Sequence, residues 1–399
     1  MEEIIELKRD LLNEMIRWKT KRKRKPLMLQ GARQVGKTWL LKKFGATCFD
    51  NYVVVNIDKD VTIRELFEKT KEPHRLVEQI SLIKGQPVLP EKNLLIIDEI
   101  QDSDEALNSL KYFKEDAPEY AVACVGSLLG VAMKKKGRSF PVGMVDFMTL
   151  YPLGFSEFLD SYDQRLAHIV RDWKVEDSLP EILRQELSEK LKLYMVVGGM
   201  PEAVVDWIET RDLREVDETL SDILRAYPLD FSKYATPAEM IRIQQVWDSM
   251  QRQLAKDNKK FKYSEVQKGA RAREYEVGLL RHMFHLDSAT IFQENGLFTE
   301  FKGVMSENYA LLSLLRQGHN PLYWSSGNQA EIEFLLEYKN NIVPVEVKSK
   351  ESIQAKSLSE YRKKNNPAIA VRMSLRNIQK RDGLLDLPLT LADRMTDFL

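Results

Sequence analysis

Eight consecutive residues, Gly31-Ala-Arg-Gln-Val-Gly36-Lys37-Thr38, set two glycines, a lysine and a hydroxyl at the spacing of a phosphate-binding loop. Between the glycines, Ala32, Arg33, Gln34 and Val35 carry backbone amides that can curve around a β-phosphate, and Lys37 can neutralise β and γ oxygens. The Thr38 hydroxyl is of the type that ligates Mg²⁺. An apolar strand, Leu27 to Gln30, precedes the loop and a helical run from Trp39 follows it, which is the context the motif needs. Further on, Leu94-Leu-Ile-Ile-Asp98-Glu99 is an apolar strand ending in two carboxylates. Alone it also reads as a strand end with solvated acids. Beside the loop it reads as the partner motif, Asp98 holding the Mg²⁺ shell and Glu99 polarising the attacking water as general base. A third strand, Ala121 to Val125, leads into Gly126-Ser127. There Ser127 either senses the γ-phosphate or closes an ordinary turn.

A second constellation lies near the C-terminus. Glu331 to Lys348 reads as a hairpin turning at Lys339-Asn340, with Ile332, Phe334 and Leu336 opposite Val347, Val345 and Val343 on an apolar face. Period-two alternation then gathers Glu331, Glu333, Glu346 and Lys348 on the other face. Spacing alone fits either a cation-binding patch or a solvated face with cross-strand Glu–Lys pairs.

These residues need elements to hold them, and the chain has ample length. Its 399 residues suggest two or three domains. Lys plus Arg and Asp plus Glu balance at 60 each, which excludes a strong overall field toward nucleic acid or an anionic membrane. Cys48 and Cys124 read as buried free thiols in a reducing compartment. Neither a signal-peptide layout nor an apolar run of about 18 residues occurs, so the expected location is the cytoplasm. An amphipathic helix is predicted over residues 3 to 18. The run Lys21-Arg-Lys-Arg-Lys25 follows, a solvated linker or a polyanion contact. Strands at 27–30, 52–57, 94–97, 120–125 and 145–150, with helices between most of them, predict a parallel sheet covered by helices. From about 155 to 278 the pattern is helical, punctuated by Pro201, Pro228 and Pro237. A helix from Lys302 to Leu315 and two strands then suggest a small α/β domain. The stretch Lys259 to Arg281, with Tyr263 and Tyr275 among basic residues, is either a nucleic-acid contact or an exposed helix.

Taken with Gly126 to Gly130, Ser139 to Gly143, Tyr151-Pro-Leu, Gly198 to Glu202, Lys268 to Glu276 and Trp324 to Ala330, these motifs give nearly the whole chain a family likeness. It resembles the prokaryotic AAA-type P-loop ATPases that carry an uncharacterised C-terminal domain of restriction-endonuclease-like fold. The resemblance implies an α/β architecture: an N-terminal helix and basic linker (1–25), an AAA-type core (26–155), a helical lid (156–232), a winged-helix-like connector (233–283) and an endonuclease-like domain (284–399). It implies that Glu346-Val-Lys348 is a Glu-x-Lys element, that Glu307 is the helical acid, and that Glu333 stands where that fold usually has Asp. One departure is that Val277 joins Gly278-Leu-Leu-Arg-His-Met283 directly, without the strand-rich stretch the family implies, so the connector is expected to be truncated. Arg184, Arg214 and Arg225 are candidates for nucleotide-sensing arginines or ordinary helix-face charges. The expected function is Mg²⁺-dependent ATP binding and hydrolysis coupled to a C-terminal effector that contacts DNA. The alternatives are an ATP-dependent binding switch with negligible turnover and an ATP-gated nuclease. ATP and Mg²⁺ are the expected cofactors; nucleic acid and a homo-oligomer are open candidates as partners, and a membrane is not expected.

Overall fold

The computed structural model describes residues 5–126, 143–174, 178–232, 236, 239–244, 247, 276–292, 296–325, 331–349 and 356–399. The chain divides into two compact units: Arg9–Tyr151, and Met1–Lys8 together with Pro152–Leu399.

The unit Arg9–Tyr151 begins with α1 (Leu11–Lys19) and continues β1 (Leu27–Gln30), α2 (Lys37–Cys48), β2 (Asn51–Asn56), α3 (Val61–Lys69), α4 (Pro73–Lys84) and β3 (Asn93–Asp98). A 3₁₀ turn (Ile100–Asp102), α5 (Asp104–Asp116), β4 (Ala121–Val125) and β5 (Asp146–Thr149) complete it. All neighbouring strands are parallel, in the order β2-β3-β4-β1-β5. The central strands read as unbroken apolar runs because helices cover both faces, and β4 is buried at every residue. Edge strand β2 alternates instead, with Val53 and Val55 inward. Helix starts follow local chemistry: Asp60 accepts from the Ile63 amide, Glu72 accepts from the amides of His74 and Arg75 behind Pro73, and Ser103 accepts from the Ala106 amide. In the basic run, Lys21 pairs with Asp146 at 3.0 Å, while Arg24 donates to the carbonyls of Lys19, Pro118 and Glu119. The N-terminal helix is shorter than its periodicity predicts. It starts at Leu11, since Arg9 turns its guanidinium to the carbonyls of Val35 and Tyr151 while Lys8 pairs with Asp160.

The second unit opens with helices α6 (Phe155–Tyr162), α7 (Gln164–Asp172), α8 (Glu181–Val197), α9 (Pro201–Thr210) and α10 (Leu213–Ser232). Of the punctuating prolines, Pro201 starts α9 while Pro228 lies within α10. Then come α11 (Val277–Met283), α12 (Ser288–Phe292), α13 (Gly296–Arg316), β6 (Leu322–Ser325), β7 (Glu331–Tyr338), β8 (Asn341–Val347), α14 (Lys356–Asn365), β9 (Ala370–Ser374), β10 (Gln379–Arg381) and β11 (Leu384–Pro388), with a closing 3₁₀ segment. The mixed sheet runs β10-β11-β9-β8-β7-β6. Its hairpin register is the expected one: Phe334 faces Val345 and Leu336 faces Val343, across a turn in which Lys339 (φ 47°) and Asn340 (φ 62°) are both left-handed. Polar ties join helices to sheet. Asn377 exchanges hydrogen bonds with the backbone of Leu179, and Arg184 donates to the Leu375 carbonyl. The part-buried pair Arg316–Asp393, at 2.6 Å, reaches the Ser156 amide, which donates to Asp393. Glu276 caps α11 and accepts from the Gly199 amide, where a Cβ on Gly199 would stand 2.1 Å from the Leu153 carbonyl oxygen. Most of the expected connector, including Pro237, Tyr263 and Tyr275, falls outside the described residues, as does Ser127.

Candidate nucleotide site

The phosphate loop leaves the end of β1 and enters α2 through three unusual backbone positions: Gly31 (φ 149°), Gln34 (φ 63°) and Gly36 (φ 87°). Gly31 has a second constraint, because a Cβ there would meet the Leu150 carbonyl oxygen at 2.2 Å. Arg9 braces the loop from outside, donating to the Val35 carbonyl at 3.0 Å and to that of Tyr151. Lys37, 9% exposed, donates through Nζ to the carbonyls of Gly31 (3.0 Å) and Ala32 (2.6 Å). Burial pulls its ammonium down to about 8, with Glu99 and then Asp98 opposing that pull and Arg33 reinforcing it.

Two strands over from β1, β3 delivers Asp98 and Glu99. Thr38 Oγ1 lies 3.4 Å from both Asp98 carboxylate oxygens, and Asn56 Nδ2, from the paired position on β2, lies 3.5 Å from Oδ2. Burial, then the Glu99 charge, raises the Asp98 carboxyl, partly offset by bonds from the Glu99 amide, Thr38 and Asn56. This hydroxyl–carboxylate pair fits a hard cation, whose oxygen ligands at about 2.0–2.1 Å stand about 3 Å apart. Glu99 occupies the left-handed region (φ 50°, ψ 43°), which costs a non-glycine residue about 1–2 kcal/mol. Its amide donates to Asp98 Oδ1 at 3.0 Å, and Gln101 Nε2 donates to its Oε2. The fold thus gathers Lys37, Thr38, Asp98 and Glu99. Arg9, Asn56 and Gln101 carry no motif signal of their own.

In the second unit, Glu333, Glu346 and Lys348 converge. Lys348 Nζ lies 3.2 Å from Glu346 and 3.5 Å from Glu333, while Glu333 also accepts from the Val347 amide at 3.3 Å. Glu346 is 1% exposed, and its Oε2 has no partner among the described residues. Burial raises the Glu333 carboxyl despite Lys348. Burial would lower Lys348, but Glu333 and Glu346 hold it above the usual range. Among the described residues no group of three His, Cys, Asp or Glu side chains is arranged to hold a metal. Arg184, Arg214 and Arg225 pair locally with Glu181, Asp212 and Asp222.

Residues 23–159 match the family model of an AAA domain. Sheet order, phosphate loop and this match together define the class of that segment, an AAA-type P-loop ATPase domain. Residues 188–294 and 302–392 match two domains of unknown function, DUF8612 and DUF4143 respectively. None of the curated proteins matches the chain. Among solved structures, the chain is similar to PCH-2 from C. elegans at 15% identity and a TM-score of 0.33, over 54% of this chain and 70% of that one. It is also similar to the Pif1 helicase from Candida albicans at 14% identity and a TM-score of 0.22, over 45% of each chain. No helix among the described residues is long and apolar enough to cross a membrane.

Proposed function

We propose that the chain binds ATP with Mg²⁺ and hydrolyses it to ADP and phosphate in the cytoplasm. The observation that carries this reading is the meeting of Thr38 with Asp98 at 3.4 Å, next to the buried Lys37 and with Glu99 following Asp98 in the chain. Lys37 exchanges loop carbonyls for the β and γ oxygens of the nucleotide, and the loop amides hold the phosphate chain. Thr38 and Asp98 would hold Mg²⁺, which supplies charge neutralisation for the leaving phosphates. Glu99 accepts the proton of the water that attacks the γ-phosphorus. Steady-state phosphate release with Mg·ATP, with and without DNA, tests the reading. Turnover abolished by EDTA supports it, whereas tight ATP binding without turnover selects the binding switch. DNA-stimulated turnover supports a nucleic-acid effector. A homo-oligomer remains the other partner arrangement in this reading.

A second reading concerns the C-terminal unit and is favoured by the buried, unpartnered Glu346 Oε2 beside Glu333 and Lys348. The order α13, β6, β7, β8, α14, β9, with β8 and β9 parallel, supports an endonuclease-like domain. In this reading Glu333 and Glu346 bind a divalent cation weakly, and DNA cleavage is poor because Glu333 extends its carboxylate about 1.5 Å further than Asp. Glu333→Asp is expected to raise Mn²⁺-dependent nicking of supercoiled plasmid above wild type, and adding Lys348→Ala to abolish it. Robust wild-type nicking would contradict the impaired geometry; absence of metal binding by calorimetry would leave only a buried structural pair.

A further inference from the structure

We propose that Gln101 is a positioning residue that holds the Glu99 carboxylate for its water-activating role, an inference that rests on the ATPase reading above. A glutamate side chain rotates about three bonds, so a base carried on one needs a constraint at its far end. Gln101 supplies one by donating from Nε2 to Glu99 Oε2. Gln101 itself has little freedom. It is 1% exposed and sits in a 3₁₀ turn closed by Asp102 N–H to the Glu99 carbonyl (3.0 Å) and Ser103 N–H to the Ile100 carbonyl (3.3 Å). Ile100 is buried in the core on one side of it, and Ser103 caps α5 on the other. The left-handed backbone at Glu99 is held by the same turn and by its amide bond to Asp98.

The chemistry of the amide matters as much as its place. Glu99 is the acidic group that acts most strongly on Lys37, so an unrestrained carboxylate would be drawn onto that ammonium and away from a water. A lysine or arginine at 101 would restrain Glu99 by pairing with it and blunt its basicity. A neutral donor fixes the carboxylate and adds no charge.

The test is kcat, KM and nucleotide affinity for Gln101→Met, which keeps length and removes the donor, in the wild-type and Glu99→Gln backgrounds. The expected result is a fall of about 10- to 100-fold in kcat with KM and ATP Kd changed less than about twofold, and no further fall when Glu99 is already Gln. Gln101→Glu, which sets a carboxylate against Glu99, is expected to lose at least as much and decides the matter if the methionine variant folds poorly. Unchanged kcat, or equal losses in both backgrounds, overturns the inference while leaving the ATPase reading intact. Wild-type turnover in Glu99→Gln alone removes the base assignment and the inference with it.

Discussion

If Lys37 holds the nucleotide phosphates as proposed, its burial and its need for charge are expected to make nucleotide binding sensitive to pH. Its folded-state value is about 8, below the ordinary lysine range, so the free protein loses this proton as pH rises through 8. Binding anionic phosphates needs the proton back. ATP affinity is therefore expected to hold below pH 8 and to weaken by about tenfold per unit above it, as titration calorimetry from pH 7 to 10 would read. For stability the sign is opposite: between 8 and the unfolded value the unfolded chain binds more protons, so this group's penalty on folding is relieved as pH rises. Lys37→Ala is expected to weaken ATP binding by about 10- to 100-fold and to flatten that pH dependence; a retained slope would assign it elsewhere. Lys37, Thr38, Asp98 and Glu99 were legible from residue type and spacing alone. Asn56 and Gln101 were not, because a neutral amide announces no chemistry until the fold brings it to a carboxylate.

At the scale of elements, strands were easier to read than helix ends. The parallel core showed as apolar runs because burial on both faces leaves no polar alternation, and the C-terminal hairpin showed its register through period-two alternation. The first helix was over-read, because Ile4, Ile5 and Leu7 continue its apolar spacing while Arg9 is committed to carbonyls that no local pattern reveals. Arg9 thereby braces the phosphate loop within its own unit. Arg9→Ala leaves the buried Val35 carbonyl and the part-buried Tyr151 carbonyl short of a charged donor and is expected to lower the stability of the Arg9–Tyr151 unit by about 2 kcal/mol. Chemical denaturation of the variant checks this, and Arg9→Lys, which keeps a single charge without the fork, is expected to fall between. No loss in Arg9→Ala would show the brace to be dispensable.

The whole molecule has two compact units, and only one carries the phosphate loop. Calorimetry is expected to show one transition that ATP raises, by about 2.7 kcal/mol of stabilisation at 100 times Kd, and one that it leaves alone. The part-buried Arg316–Asp393 pair belongs to the second. Burial alone would raise the Asp393 carboxyl, but Arg316 holds it below the usual range, so its contribution is present at neutral pH and lost as pH falls through that depressed value. Asp393→Ala strands Arg316 without its partner and is expected to cost about 3–5 kcal/mol in the ATP-insensitive transition alone. The helix and two strands after residue 302 point to a C-terminal α/β domain; the part-buried ties of Asn377 to Leu179, Arg184 to Leu375 and Asp393 to Ser156 lie beyond sequence periodicity. If the site binds ATP and Glu99 drives its hydrolysis, binding and turnover must separate when Glu99 loses its charge. The most direct measurement is ATP affinity and phosphate release on the same preparations of wild type and Glu99→Gln with saturating Mg²⁺. Affinity is expected to stay within about twofold and turnover to fall at least about 100-fold in the variant; equal turnover in the two proteins would contradict Glu99 as the base.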